Sequence, residues 1–271
     1  MSFMGGLFFL FVLGIILVFV GIMVYGHYRA QNRIAEMRAL AARRGYEYVE
    51  EDPGLAGTLG RFALFSRGHS RRTTNVLRTR AGDASVQIFD FRYTTGQGRN
   101  QSVHRQSVLL LESERLALPA FSLCPETVGQ KLAILFGRQD IDFPQRVDFS
   151  EAYVLQGADE EGIRAFFDEE RLTFFARRPG LCVEGRGHRL LYYRAGQQLS
   201  PNVIHTFLEE GLAVLELLAA APAPQPVTEP APEPVTEPVP GPAAEPDPLA
   251  GLDALLAEMG VDEAAAMAND E

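Results

Sequence analysis

Tryptophan is absent from this chain, lysine occurs once, at Lys131, and cysteine twice, at Cys124 and Cys182. Two cysteines are too few for a disulfide framework and fit a reducing compartment. The other 24 basic residues are arginine. Together with the many alanines and glycines, that bias reads as GC-rich codon usage rather than arginine-specific recognition. The strings that mark common chemistries are also missing. Gly96-x-Gly98 lacks the third glycine of a phosphate-binding loop and falls in a predicted hairpin. No serine sits in a nucleophile-elbow context, and no HExxH or paired CxxC occurs. Cys182, Glu184 and His188 come from one hairpin without a fourth ligand, so they read as packing and turn residues. No metal and no cofactor is expected.

Charge is absent from Gly5 to Tyr25, 21 positions filled mostly by Phe, Leu, Val, Ile, Met and Gly. As a helix this stretch spans about 30 Å, the thickness of a bilayer's hydrocarbon core. Residues 1–26 are therefore expected to anchor the chain, with residues 5–25 contacting the lipid bilayer. Four uncharged residues precede the run, whereas His27, Arg29, Arg33, Arg38, Arg43 and Arg44 follow it against the single acid Glu36. Positive flanks stay cytoplasmic, so the expected topology is single-pass with the N-terminus outside and the bulk inside. A cleaved signal peptide would want a basic start, a shorter apolar core and a small-residue cleavage site, none of which is present.

The net charge of −10 divides unevenly. Residues 221–271 hold 11 acids and no base, whereas residues 61–105 hold nine arginines against Asp83 and Asp90. Arg61, Arg67, Arg71, Arg72, Arg78, Arg80, Arg92, Arg99 and Arg105 form the candidate anionic surface. Its expected ligand is the anionic lipid head group, worth about 1 kcal/mol per arginine near the surface. Nucleic acid is the weaker partner, because Phe89, Phe91 and Tyr93 lack a base-stacking motif.

Periodicity gives the rest of the organisation. Residues 27–45 form a basic juxtamembrane helix with Ile34, Met37, Leu40 and Ala41 on one side, continuing the span or breaking near Gly26, and stopping at Gly45. Residues 46–220 read as a cytoplasmic α+β domain, an antiparallel sheet with packed helices. Strands are expected at 71–80, 85–95 and 102–111, with a short fourth near Phe121–Leu123. Phe89, Phe91 and Tyr93 fall on one face of the second, and Val86 and Ile88 on the other. Pro125 is expected to open a helix to Phe136, 149–155 to be extended, and Asp159 to cap a helix carrying Ile163, Phe166 and Phe167. A second hairpin is expected around 185–187. A final helix follows Ser200-Pro201, with the stripe Ile204, Phe207, Leu208, Leu215 and Leu218. Residues 221–248 contain 11 prolines between Pro222 and Pro248 and repeat PVTEP at Pro226 and Pro234. They read as a disordered, stiff tether. Residues 249–271 are an acidic tail whose short helix, lined by Leu252, Leu255, Leu256 and Met259, would dock on a protein partner or on its own domain.

The span, the arginine-rich helix behind it, and the strings FDFRYTTGQG from Phe89, QDIDFP from Gln139 and FSEAYVLQG from Phe149 carry a likeness. The chain resembles, over about residues 5–220, bacterial single-pass membrane-anchored proteins that bear a domain of unknown function. The resemblance implies inner-membrane topology and bacterial origin, and it transfers no catalytic residue. The leading expectation is a non-enzymatic, membrane-tethered binding or scaffold module. One alternative is an enzyme with a site around Asp90, His104 and Cys124. There Asp90 and His104 would exchange protons, and the Cys124 thiol would be activated by a helix N-terminus. The other is a structural protein that self-associates through its span, although Gly14 and Gly21 lie seven apart and do not make GxxxG.

Overall fold

The computed structural model describes residues 2–128 and 140–220. The proposed tail helix at Leu252, Leu255, Leu256 and Met259, the proline-rich tether and most of the helix expected after Pro125 lie outside the described residues. Helix α1 (Ser2–Arg44) runs unbroken through Gly26 from the apolar stretch into the basic one, and ends where Gly45 takes φ +69°. It is long and apolar enough to cross a membrane, and the large apolar side chains described between Phe8 and Tyr28 are exposed. An unbroken helix is what the sequence favours, since Gly26 alone costs about 1 kcal/mol and no proline interrupts the run.

Behind α1 the chain builds one eight-stranded antiparallel sheet. Strands β1 (Glu47–Glu51), β2 (His69–Ala81), β3 (Ala84–Thr95) and β4 (Ser102–Glu112) form a meander. The chain then skips two places to β5 (Leu118–Pro125) and β6 (Tyr153–Gly157). The hairpin of β7 (Cys182–Gly187) and β8 (Arg189–Tyr193) fills that gap, giving the order β1-β2-β3-β4-β8-β7-β5-β6. Between strands lie the short helices α2 (Leu55–Thr58), α3 (Ala63–Ser66), α4 (Val147–Ala152), α5 (Glu160–Phe166) and α6 (Glu169–Ala176). The closing helix is α7 (Ile204–Ala219).

Both sheet faces are buried, and strand alternation sorts their side chains. Leu77, Val86, Ile88, Leu109, Leu123 and Tyr192 face Met37, Leu40 and Ala41 of α1 and the full predicted stripe of α7. Gly211 lets α7 lie close, because a Cβ there would sit 2.1 Å from Leu109 Cδ2. Phe89, Phe91, Tyr93, Val108, Leu110 and Tyr193 form the other face, under α2 and α3. Phe65 of α3 seats its ring 4.3 Å from that of Phe91.

Two local expectations are corrected. Pro125 does not open a helix; it is the last residue of β5, paired with Tyr153, and residues 126–128 are helical after it. A proline is tolerated there because the end of a strand need not donate to the ladder. Residues 147–152 are α4 rather than extended, and only Tyr153 onward is strand. The turn of α4 points Phe149 inward against Phe143, Tyr153 and Phe167, a burial that outweighs the extended pattern. At Asp159 the expected cap is found, its carboxylate accepting the Gly162 N–H at 2.9 Å.

Candidate functional site: an arginine-lined cleft beside the N-terminal helix

Asp90 occupies the α1-facing side of β3, two residues past buried Ile88, where a lone carboxylate would be costly. Arg33 of α1 meets it in a two-pronged ion pair, Nε donating to Oδ2 at 2.6 Å and Nη2 to Oδ1 at 2.7 Å. Asn75 Nδ2 and Ser107 Oγ donate to the same carboxylate at 2.9 Å each. The remaining Arg33 nitrogen, Nη1, donates to the Leu199 carbonyl at 2.6 Å. Asn75 reaches Asp90 through a bulge in β2, with φ +52°, and is held from behind by the Tyr48 hydroxyl at 2.9 Å. Every polar atom in this cluster has a partner, the condition for a charge pair to sit stably at such depth. The cluster clamps the basic half of α1 to the centre of the sheet.

Above the clamp a cleft of about 1050 Å³ opens between α1 and β2–β4. Tyr25, Tyr28 and Arg29 line one wall, and Arg72, Arg92 and Arg105 the other. These three wall arginines stand directly opposite one another on adjacent strands, Arg72 against Arg92 and Arg92 against Arg105. Like charges in that relation repel. Arg72 is balanced by Glu51 at 3.0 Å, and nearby Glu50 is taken by Arg38 at 3.0 Å. Among the described residues, Arg29, Arg92 and Arg105 make no hydrogen bond or ion pair, and Glu36 is the lining carboxylate left outside these pairs. The arrangement can take an anion in a fork of guanidinium groups.

The other arginines expected on an anionic surface are spread elsewhere. Arg78 is engaged by Asp52 at 2.6 Å and by Glu47 at 3.3 Å. Arg71 turns back to the carbonyls of Ser66, Arg67 and Gly68. Arg80 donates to the Asp83 carbonyl, and Arg61 and Arg99 are exposed. Arg67 lies against the second face, with Nε and Nη2 buried and unpartnered, near Glu184 and Tyr193. Glu184 is buried and accepts from the Ala63 and Leu64 N–H groups, at 2.6 and 3.0 Å, and from the Tyr193 hydroxyl at 2.8 Å. Burial pushes its carboxyl up from the ordinary value, against the pull of these donors and of Arg67.

The grouping of Asp90, His104 and Cys124 is not assembled. Asp90 faces α1 and is saturated by its four donors. His104 lies opposite Tyr93, stacks on that ring at 4.8 Å and bonds the Thr95 hydroxyl at 2.8 Å. Cys124 is buried on the second face, within 3.6 Å of the Tyr193 hydroxyl, and belongs to strand β5. The sheet separates it from Asp90. Cys182 shares its surroundings, and burial raises that thiol well above its ordinary value. Among the described residues no three His, Cys, Asp or Glu side chains are placed to hold a metal.

Arg33 entered the sequence reading only as one positive flank, and Asn75 and Ser107 not at all. Their signal was Asp90 itself, an acid on an otherwise apolar strand face, which demands a counter-charge from elsewhere in the chain.

No protein-family model matches the chain, and no curated protein does. Among solved structures, it is similar to the crystal structure of the mycobacterial trehalose monomycolate transport factor A. That match has a TM-score of 0.48 and 13% identity, over 71% of this chain and 98% of the other.

Proposed function

We propose that the protein is a membrane-tethered, non-enzymatic binding module whose cleft receives a phosphate-bearing anion at the bilayer surface. The observation that carries this reading is the cross-strand row Arg72–Arg92–Arg105 facing Arg29, with three of the four guanidinium groups uncommitted. Placement supports it too. Arg29 lies four residues beyond Tyr25, about 6 Å along the helix, within the head-group layer that flanks a hydrocarbon core. The arginine-rich flank argues for the cytoplasmic leaflet of a bacterial inner membrane, and anionic phospholipid is the ligand source that fits. Arg61, Arg67, Arg71, Arg78, Arg80 and Arg99 surround this reading without lining the cleft. The tail helix at 249–260 keeps its proposed role as a tethered docking segment for a protein partner; a pull-down with chain stopped at Ala221 tests it, and an unchanged set of partners refutes it.

The cleft is tested by titrating the full chain in neutral detergent with short-chain phosphatidylglycerol or phosphatidylcholine, reading affinity. Phosphatidylglycerol should bind more tightly, and Arg92→Ala and Arg105→Ala should each weaken it about fivefold, the equivalent of ~1 kcal/mol per arginine. Equal affinity for the two lipids, or a double variant that binds as well as the parent, would remove the proposal.

A further inference from the structure

The clamp fixes how α1 lies along the sheet. Arg38 pairs with Glu50 and covers the Tyr48 ring, and Tyr48 stands level with Leu77 and Ile88. Arg33, five residues earlier, pairs with Asp90, two residues further along β3. The helix advances about 7.5 Å between these contacts and the strand about 6.6 Å, so the two run side by side. Going toward the membrane along α1 is therefore going toward the β3–β4 turn.

The same arithmetic gives the depth of that turn. Tyr25 lies eight residues before Arg33, about 12 Å along the helix. Thr94 and its partner Val103 lie four residues past the Asp90 level, about 13 Å along the strands, and so stand level with Tyr25. The turn beyond them, Gly96–Gln101, extends up to about 23 Å from Asp90 before strand twist shortens it. The paired ladder itself ends at Thr95 and Ser102, about 17 Å from Asp90 and about 5 Å past Tyr25. The short 3-10 turn Gly98–Asn100 closes it there, so the turn lies at the boundary of the head-group layer.

We infer that the β3–β4 turn rests in the lipid head-group layer beside the span, giving the domain a second contact with the bilayer. Its chemistry suits that depth. Gln97, Arg99, Asn100 and Gln101 are polar and exposed, and no apolar side chain projects from the turn. Gly96, at φ +78°, is required for the reversal, since a Cβ there would meet the Asn100 carbonyl oxygen at 2.1 Å. Arg99 has no partner among the described residues and is free for a lipid phosphate. Val103, exposed on the face that carries Arg105, lies at the interface depth, where an apolar side chain is sheltered. The contact follows from the helix–sheet alignment alone and does not require an anion in the cleft.

Depth-dependent quenching tests it on the full chain. Cys124 and Cys182 are buried, so a thiol-reactive fluorophore on Gln101→Cys or, separately, Gln97→Cys reports on the turn. Glu114→Cys, 94% exposed and near the opposite end of β4, is the reference. Each labelled protein is placed in phosphatidylcholine nanodiscs with and without lipid bearing a head-group nitroxide. Emission from positions 97 and 101 should fall on adding the nitroxide lipid, and emission from 114 should not. The same loss should persist with Arg92→Ala and Arg105→Ala, because the cleft is not involved. Equal losses at 101 and 114, or a loss that disappears with the two cleft substitutions, would overturn the inference. Loss of lipid selectivity with quenching retained would fault the cleft reading alone.

Discussion

Breaking the Arg33–Asp90 clamp from either side should cost different amounts. The side chains are only 16% and 5% exposed, so removing one partner strands the other, a penalty of about 3–5 kcal/mol for a buried pair. Arg33→Met leaves Asp90 with the Asn75 and Ser107 donors, which hold part of its charge, and should fall at the lower end. Asp90→Leu strands Arg33 and also leaves Asn75 Nδ2 and Ser107 Oγ without their acceptor. Each such orphan adds about 1–3 kcal/mol, so this variant should be the worse. At about 2–4 °C per kcal/mol for a domain of this size, the midpoint should drop by roughly 10 °C for Arg33→Met and further for Asp90→Leu. Replacing both by apolar side chains removes the stranded charge, and the double variant should recover toward the parent. The chain has no tryptophan, so melting is followed by far-ultraviolet circular dichroism in detergent, and amide exchange over residues 33–44 reports release of the helix. A coupling of about 1 kcal/mol or less, the range of exposed pairs, would refute the claim that this pair docks α1.

Two further outcomes follow from packing and titration. Gly211→Ala should destabilise by about 1–3 kcal/mol, read as a lower melting midpoint, because the added methyl meets Leu109 Cδ2. For Glu184, raised from 4.5 by burial, the folded state keeps a proton that the unfolded chain has released. Its contribution is therefore complete below about pH 4.5 and is lost as pH rises through the folded value. Half-buried Asp140, also raised by burial, acts with the same sign. The melting midpoint should fall with pH above 4.5, and Glu184→Gln should flatten that slope; a variant that keeps the full slope would assign it elsewhere.

The elements that could be read from the sequence are those whose side chains alternate or recur against a buried face. Strands β2, β3 and β4, the two faces of β3, and the stripe of α7 all carry that imprint. Strand β1 does not: Glu47-Tyr-Val-Glu-Glu51 is an edge strand with its charges in solvent, and no apolar alternation marks it. Helix α4 was hidden by Phe149, Tyr153 and Leu155, whose spacing suits either period, and only packing against Phe143 and Phe167 decides it. Of the site, the basic content was legible and the arrangement was not. Arg72, Arg92 and Arg105 become neighbours through the register of two hairpins, and Arg33 finds Asp90 across 57 residues. Long-range pairing of that kind leaves no local period to detect.

Helix α1 contains no hinge between its apolar stretch and the part that packs on the sheet. A span that tilts to match a thinner bilayer therefore carries the folded portion with it, rather than swivelling beneath it. With about 28 Å of helix beyond Tyr25, a tilt of about 10° swings the far end sideways by about 5 Å. On the membrane-anchored reading proposed above, bilayer thickness becomes a mechanical input to the domain, set by the surrounding lipid composition.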